Sequence, residues 1–399
     1  MFDVIIAGAG LTGMVSALAF ADNGFSVAIV EPKQLSTSEK TKNYSNSQDF
    51  RSTAHLPQTV DFLRNLGAWQ QISDNACSLQ RLDIINKQQM NYFSEPQTKT
   101  EFVAKDVGRE ELGFNVPIQD SFYGLAKMIA SNENINILMG VKIERFTPMH
   151  RSIMVFLSDK TKIEGRLLIG ADGGHSRVRE LAGINVFKKN TGQTAITFNI
   201  RHEKPHYNSS TEIYSAGGPL TLVPLKKMGE NSSSAVVWMQ NLEDAEKLLS
   251  LDLDKFIQEV QKHSNDVTGN IQSCSERGSK KVVIQVASQI IGPRVALVGE
   301  ASHLLPPIGA QGFNLSVKDI SVIVRIASKN KQQLGNHKML LEYQRERLAD
   351  IFIKTAGVGA LNFLAWSENP VSQISRASGL KFIQNFPSFC QNLIRLGLR

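Results

Sequence analysis

Gly8, Gly10 and Gly13 stand in G-x-G-x-x-G spacing, and Glu31 follows 18 residues after the last of them. Glycines at that spacing allow a tight turn, bring backbone up to a pyrophosphate and let a helix pack closely on a strand. An acid at that distance accepts hydrogen bonds from a ribose diol. It selects an adenosine with a free 2′-hydroxyl, so FAD or NAD rather than NADP. Two further clusters are of the same kind. Residues 170–179 read GADGGHSRVR and hold Asp172 among glycines. Residues 299–303 read GEASH, with Glu300 and His303, and lead into PPIGAQGFNL at 306–315. Gly309 and Gly312 let backbone approach a flat ring. A helix N-terminus after them sets positive dipole against negative charge on such a ring. His303 reads equally as an acid–base group or as a satisfied structural histidine. A second complete G-x-G-x-x-G with its acid, as a separate NAD(P) domain would carry, is absent.

The elements that must position these groups follow from the pattern around them. Residues 4–7 predict a buried parallel strand, 11–23 a helix stopped by Gly24, and 27–30 a second buried strand. Polar residues 34–50 predict a surface loop ending at Arg51. A helix is expected over 58–66, strands over 79–103 with a turn at Pro96, a helix over 122–131 and a strand over 136–139. Residues 152–157 and 161–164 read as a hairpin, followed by a separate buried strand over 166–171. From 194 to 240 the stretches TAITFNI, TEIYSA, LTLVPL and SAVVWMQ predict a mostly antiparallel sheet. A helix over 242–263, a strand over 282–288, a buried strand over 295–298 and a helix over 311–327 follow, then helices with apolar faces.

The expected fold class is therefore α/β. A discontinuous Rossmann-like FAD-binding domain spans 1–180 and 282–330. An inserted, mostly antiparallel β-sheet substrate domain spans 181–281, joined by strands from 79–120. A helical C-terminus covers 331–399.

Composition narrows the function. The charged fraction of 20% against 42% hydrophobic is that of a folded globular chain. The net charge of +7 is spread along the chain without aromatic clustering, which argues against a nucleic-acid partner. Cys77, Cys274 and Cys390 are far apart in the sequence and in no C-x-x-C pattern, which argues against a disulfide framework or a metal site and fits a reducing cytosol. The first strand starts close to Met1, leaving no room for a signal peptide. No run of 18 apolar residues stands out, so no spanning helix is expected. A cytoplasmic protein with no metal is the reading.

On these motifs the chain resembles the group A flavoprotein monooxygenases of the para-hydroxybenzoate hydroxylase type. Within them it resembles the ubiquinone-biosynthesis hydroxylase family (UbiH/UbiF-type). That family's D-V-I-I-x-G-x-G, its next arginine, G-A-D-G-x-x-S-x-V-R and G-D-A-A-H-x-x-x-P-I-x-x-Q-G-x-N-L correspond here to residues 3–13, Arg51, 170–179 and 299–315. GGPLTLVPL at 217–225 resembles its substrate-domain strand. The resemblance implies FAD as cofactor, with NAD(P)H and O2 as co-substrates. It implies hydroxylation of a polyprenylated phenol in ubiquinone biosynthesis through a flavin C4a-hydroperoxide. It also implies that Gly8, Gly10, Gly13 and Glu31 hold the ADP half, and that Arg51 lies near the pyrophosphate and ribityl chain. Asp172 would serve both FAD and NAD(P)H, while Gly299, Glu300, Gly309, Ala310, Gly312 and Asn314 complete the FAD site. His303, Pro306, Pro307 and Gln311 are the residues expected nearest the chemistry. Glu300 stands where the family has aspartate, and its extra methylene moves the carboxylate by about 1.5 Å. The alternatives are a related FAD monooxygenase of a small soluble aromatic, or a flavin-binding assembly subunit without activity.

The tail over 371–399 carries Arg376, Lys381, Arg395 and Arg399 and no acid. Leu380, Phe382, Ile383, Phe386 and Leu393 share it, and Pro387 divides it. Two basic amphipathic pieces predict peripheral docking at the inner membrane face or on a ubiquinone-biosynthesis complex; a packed terminal helix is the plainer reading.

Overall fold

The computed structural model describes residues 1–34, 50–87, 98–215, 218–229 and 231–366. Nearly all of the polar loop over 34–50, the turn at Pro96, Gly217 and the tail over 371–399 lie outside the described residues.

The run VIIA near the start has no polar residue to offer water, so its strand must be covered on both faces. Strand Phe2–Ala7 is accordingly central. Val27–Glu31 and Lys162–Gly170 flank it in parallel register, and Val4, Ile5 and Ile6 are fully buried. Ile135–Met139 extends the parallel set on one side and Val295–Leu297 on the other. Ile291–Gly292 closes that edge antiparallel, and Ile153–Leu157 and Ile143–Pro148 complete the eight strands. The arm expected over 161–164 and the strand expected over 166–171 are one strand, Lys162–Gly170. Gly165 passes through it without a break, because a Cβ there would lie 2.8 Å from the Ile5 side chain. The glycine permits close packing rather than marking a turn.

The second sheet has nine strands built around the 17-residue strand Val186–His202. Asn231–Asn241 and Gly278–Ala287 pair with it antiparallel. Leu220–Met228, Ser209–Tyr214, Arg81–Asn86 and Thr98–Val103 continue outward, with Ser209–Tyr214 parallel to Arg81–Asn86. Alternation decides the two faces. Ile196, Phe198, Ile200, Ile213, Leu222 and Trp238 pack on one side against Ala245, Phe256 and Val260. Those three come from helices Leu242–Ser250 and Leu253–Thr268. The single helix expected over 242–263 is thus two. Leu251 is extended, and Asp252 restarts the chain as a cap, its Oδ1 accepting the Lys255 N–H at 2.9 Å.

Gly278–Ala287 belongs to this second sheet, and His303–Leu304 pairs with its far edge. The nucleotide sheet therefore resumes at Ile291–Gly292, later than residue 282 as the sequence suggests. A small third sheet joins Ser52–His55, Gly113–Pro117 and Cys77–Leu79.

Two late helices cover the junction. Gln311–Lys329 packs on Leu11–Asp22, and His337–Trp366 packs over Gln311–Lys329. The latter contains an 18-residue window of mean hydropathy 1.4, long and apolar enough to cross a membrane by composition. That corrects the expectation that no such segment exists. Its first half buries Met339, Leu340, Tyr343, Arg347 and Ile351.

Candidate active site

The carboxyl ends of the parallel strands and the free face of the nine-stranded sheet enclose a cavity of about 1990 Å³. A usual small-molecule pocket holds about 300–1,000 Å³, so this volume suits an extended cofactor together with a second ligand.

The glycine loop forms one end. Gly8 has φ = +95°, and a Cβ on it would stand 2.8 Å from the Ala171 carbonyl oxygen. At Gly13 the conflict is harder, with the Gly8 carbonyl oxygen 1.9 Å from a Cβ. Gly13 is buried behind the loop and packs helix on strand without facing the cavity. Gly10 faces open space and caps helix Leu11–Asp22 with no side chain over its first N–H groups. An uncapped helix start with empty space before it is what a pyrophosphate requires. Glu31 rims the same end, accepting from Ala9 N–H at 2.7 Å and Lys33 N–H at 3.0 Å. Arg51 also lines the cavity.

The second station is braced from within. Asp172 lines the cavity, yet its carboxylate accepts from Ser176 Oγ and from Val178 N–H at 3.0 Å. It holds the start of helix Arg177–Leu181. The buried Arg179 donates to the Gly174 carbonyl at 3.0 Å and to the Ala301 carbonyl at 2.8 Å. Gln285 donates to the same Gly174 carbonyl at 2.9 Å. One arginine thus ties the second cluster to the third.

In the third cluster Gly299 takes φ = +61°, and a Cβ would meet Thr12 and Ser316 within 3 Å. It lies beneath the wall. Glu300 enters the cavity with 49% of its side chain exposed, 4.0 Å from Lys280 Nζ. His303 does not enter. It is buried, with Nε2 2.7 Å from Asp319 Oδ2, and it stands behind the wall. Asp319 also accepts from Arg347 Nε at 2.8 Å and from Gly299 N–H at 3.0 Å. Burial pushes the Asp319 carboxyl up, but His303, Arg347 and the Gly299 N–H outweigh it and hold it below the usual range. His303 is therefore a positioning residue of the loop, a correction to its expected place nearest the chemistry.

Pro306, Pro307, Gly309, Ala310, Gln311 and Gly312 do line the cavity. Ala310 takes the left-handed φ of +55° and caps helix Gln311–Lys329, again without a side chain over the N–H groups. Asn314 lies one turn behind. Its Oδ1 accepts from Leu56 N–H at 2.9 Å, and its Nδ2 donates to the carbonyls of Ala54 at 2.8 Å and Ala310. It fastens two walls together rather than facing the cavity. Gly13, Gly299, His303 and Asn314 thus support the site from outside, and the other expected residues meet at it.

Sequence reasoning passes over Glu212 and Tyr214. Both line the far end, on the free face of strand Ser209–Tyr214, with Tyr214 Oη donating to Glu212 Oε2 at 2.7 Å. Burial pushes the Glu212 carboxyl above its ordinary range, and the tyrosine only partly offsets that. The signal is present in TEIYSA: its apolar residue, Ile213, alternates with an acid and a phenol.

The FAD binding domain family matches residues 1–351. The ubiquinone hydroxylase UbiL of Rhodospirillum rubrum is 24% identical over 388 residues, covering 96% of this chain and 86% of that protein. The 3-demethoxyubiquinol 3-hydroxylase of Escherichia coli is 24% identical over 386 residues, covering 95% and 93%. The crystal structure of p-nitrophenol 4-monooxygenase PnpA from Pseudomonas putida superposes with a TM-score of 0.79 at 14% identity, covering 99% and 98%. That likeness is one of fold. With the uncapped helix starts and glycine cradle facing the cavity, the match along 1–351 has one reading: the chain belongs to the FAD binding domain family, and FAD is its cofactor.

Proposed function

We propose that this FAD-dependent hydroxylase adds one hydroxyl group to the aromatic ring of a polyprenylated phenol in ubiquinone biosynthesis. The observation that carries the reading is the continuous cavity, which runs from the glycine loop to the free face of the nine-stranded sheet. The names of the hydroxylases it is similar to point the same way. Bound FAD supplies the redox chemistry, taking hydride from NAD(P)H and activating O2.

The residues divide the remaining work. Gly10 admits the pyrophosphate to the helix start, Glu31 receives the ribose hydroxyls, and Arg51 and Glu300 flank the chain between adenosine and ring. Residues 306–312 would hold the ring of bound FAD, and the start of helix Gln311–Lys329 would oppose negative charge on it. Val223, Val237, Ile84 and Phe102 exclude water from the reacting face.

A long apolar tail needs a long apolar path. Helix His337–Trp366 provides one, since Gly357, Val358, Leu361, Leu364 and Ala365 line the cavity. The same helix exposes Ile353 (72%), Leu361 (56%) and Phe363 (62%). We read that face as the approach to a membrane surface.

The test is product analysis. Purified protein with FAD, NAD(P)H and O2 should convert a phenol bearing one prenyl unit into a product heavier by one oxygen atom. Small unprenylated phenols should turn over more slowly. NAD(P)H oxidation with no oxygenated phenol from any substrate would overturn the reading. Preference for the small phenols would reassign the substrate to soluble aromatics.

A further inference from the structure

Strand Ser209–Tyr214 sits well inside the nine-stranded sheet, where Glu212 is flanked by Ile84 on one neighbour and Thr221 on the other. Thr211 and Ile213 turn to the packed face, while Ser210, Glu212 and Tyr214 turn to the cavity. No ion pair to Glu212 exists among the described residues. On the neighbouring strand Arg81 Nε lies 3.0 Å from Asp83 Oδ1, and from one strand further out Lys99 Nζ lies 3.3 Å from Asp83 Oδ2. Lys226 on the other neighbour donates to the Asp74 carbonyl at 2.6 Å. Lys280, Lys281 and Lys354 reach the cavity from strand Gly278–Ala287 and helix His337–Trp366, and Lys280 meets Glu300. A carboxylate held among neutral side chains, with a tyrosine as its partner and no cation against it among the described residues, is costly for stability alone.

We propose that Glu212 is the group that takes the proton from the phenol hydroxyl of the substrate, with Tyr214 as its positioning residue. The inference rests on the hydroxylase reading above. A phenol titrates near pH 10, so about one molecule in a thousand is ionised at pH 7. The phenolate is far more electron-rich at its ortho and para carbons. In the step, the phenol O–H bond breaks and a carboxyl O–H bond forms on Glu212. The electron pair stays on the phenol oxygen and feeds the ring. NAD(P)H supplies two electrons through bound FAD. One oxygen atom of O2 goes to the ring with a proton from solvent, and the displaced C–H proton returns to the phenol oxygen. The other oxygen atom is reduced to water, taking up the proton that Glu212 carried and one derived from NAD(P)H. Burial holds the Glu212 carboxyl above its usual range, toward working pH, as a general base requires.

The test uses the full-length, FAD-loaded enzyme and a phenol carrying one prenyl unit. Glu212→Gln keeps the shape and removes the base. Hydroxylation should fall by about 10²-fold or more, the usual loss for a general base. FAD content should be unchanged, with NAD(P)H oxidation continuing and yielding hydrogen peroxide. Glu212 acts when ionised, so wild-type hydroxylation falls as pH drops through its pKa. That acid limb should be absent in Glu212→Gln and retained in Glu212→Asp. Tyr214→Phe removes a hydrogen bond to the ionised form, so its acid limb should move to higher pH. A Glu212→Gln enzyme with the wild-type rate and profile overturns the inference alone. Should that variant lose FAD, an unmoved limb in Tyr214→Phe overturns it. A wild-type enzyme that hydroxylates no phenol overturns the parent reading and the inference with it.

Discussion

The two large sheets meet at one cavity but furnish it by different means. The parallel sheet contributes backbone: strand ends, glycine turns and two uncapped helix starts. The nine-stranded sheet contributes side chains, one at every second residue. A site made of backbone tolerates no added atom where the main chain crowds, because nothing there can rotate away. A site made of side chains tolerates change in volume but depends on which groups are polar.

The largest expected effect sets two glycines of the same loop against each other. Gly13→Ala must push a Cβ against the Gly8 carbonyl, which would lie 1.9 Å away, so little soluble protein should form. Gly10→Val meets nothing within 4 Å. It should fold with the thermal stability of the apoprotein yet fail to retain FAD, as read from the flavin absorbance. A yellow Gly10→Val protein would show that backbone approach is not what the parallel sheet provides.

Next comes the bracing behind the wall. Arg347→Met leaves Asp319 buried without its cation and should cost about 3–5 kcal/mol in urea unfolding, the scale for breaking a buried pair. Thr221→Val, on the cavity face of the second sheet, should stay within about 1 kcal/mol. Equal losses would erase the contrast between the sheets.

The third effect depends on pH. His55 is fully buried between Trp69 and Phe313, with no hydrogen-bond partner for either ring nitrogen among the described residues. Burial lowers its pKa from 6.5 to about 4. Below pH 6.5 the unfolded chain takes up a proton that the folded protein refuses until about pH 4. Stability is therefore full above pH 6.5 and falls as pH drops toward 4, by roughly 3 kcal/mol. Unfolding curves at pH 7 and pH 4.5 should differ by about 2–3 kcal/mol less in His55→Leu than in the wild type.

The smallest effect is at Glu300. Glu300→Asp should tighten FAD binding by about 1 kcal/mol, one hydrogen bond's worth, in a calorimetric titration. Weaker binding would mean that the loop around Gly299 is already shaped to the longer acid.

Legibility in the sequence follows the same division. That Gly8, Gly10, Glu31, Asp172 and residues 306–312 come together at one cavity is legible, because local spacing fixes what a backbone loop can do. His303 misled, because its motif looks the same whether the imidazole turns to the cavity or to Asp319, 16 positions away. Only the packing of helix Gln311–Lys329 decides that. The alternation around Glu212 is in the sequence, but its meaning is hidden for a related reason. The face it shows depends on Arg81–Asn86 and Leu220–Met228 pairing on either side, and the first of these lies more than a hundred residues earlier. The break at Leu251 and the joined strand Lys162–Gly170 depend on single residues, Asp252 and Gly165, in roles that local pattern does not reveal.

Leu361 borders the cavity and keeps 56% of its surface exposed. A hydrocarbon tail threaded past it would pass from one apolar medium to another without being wetted. For a substrate held that way, bulk molarity is the wrong measure of supply. On the proposed reading, in which this helix meets a membrane, turnover would follow its mole fraction in that two-dimensional film, and detergent would act as a diluent even where it leaves the fold untouched.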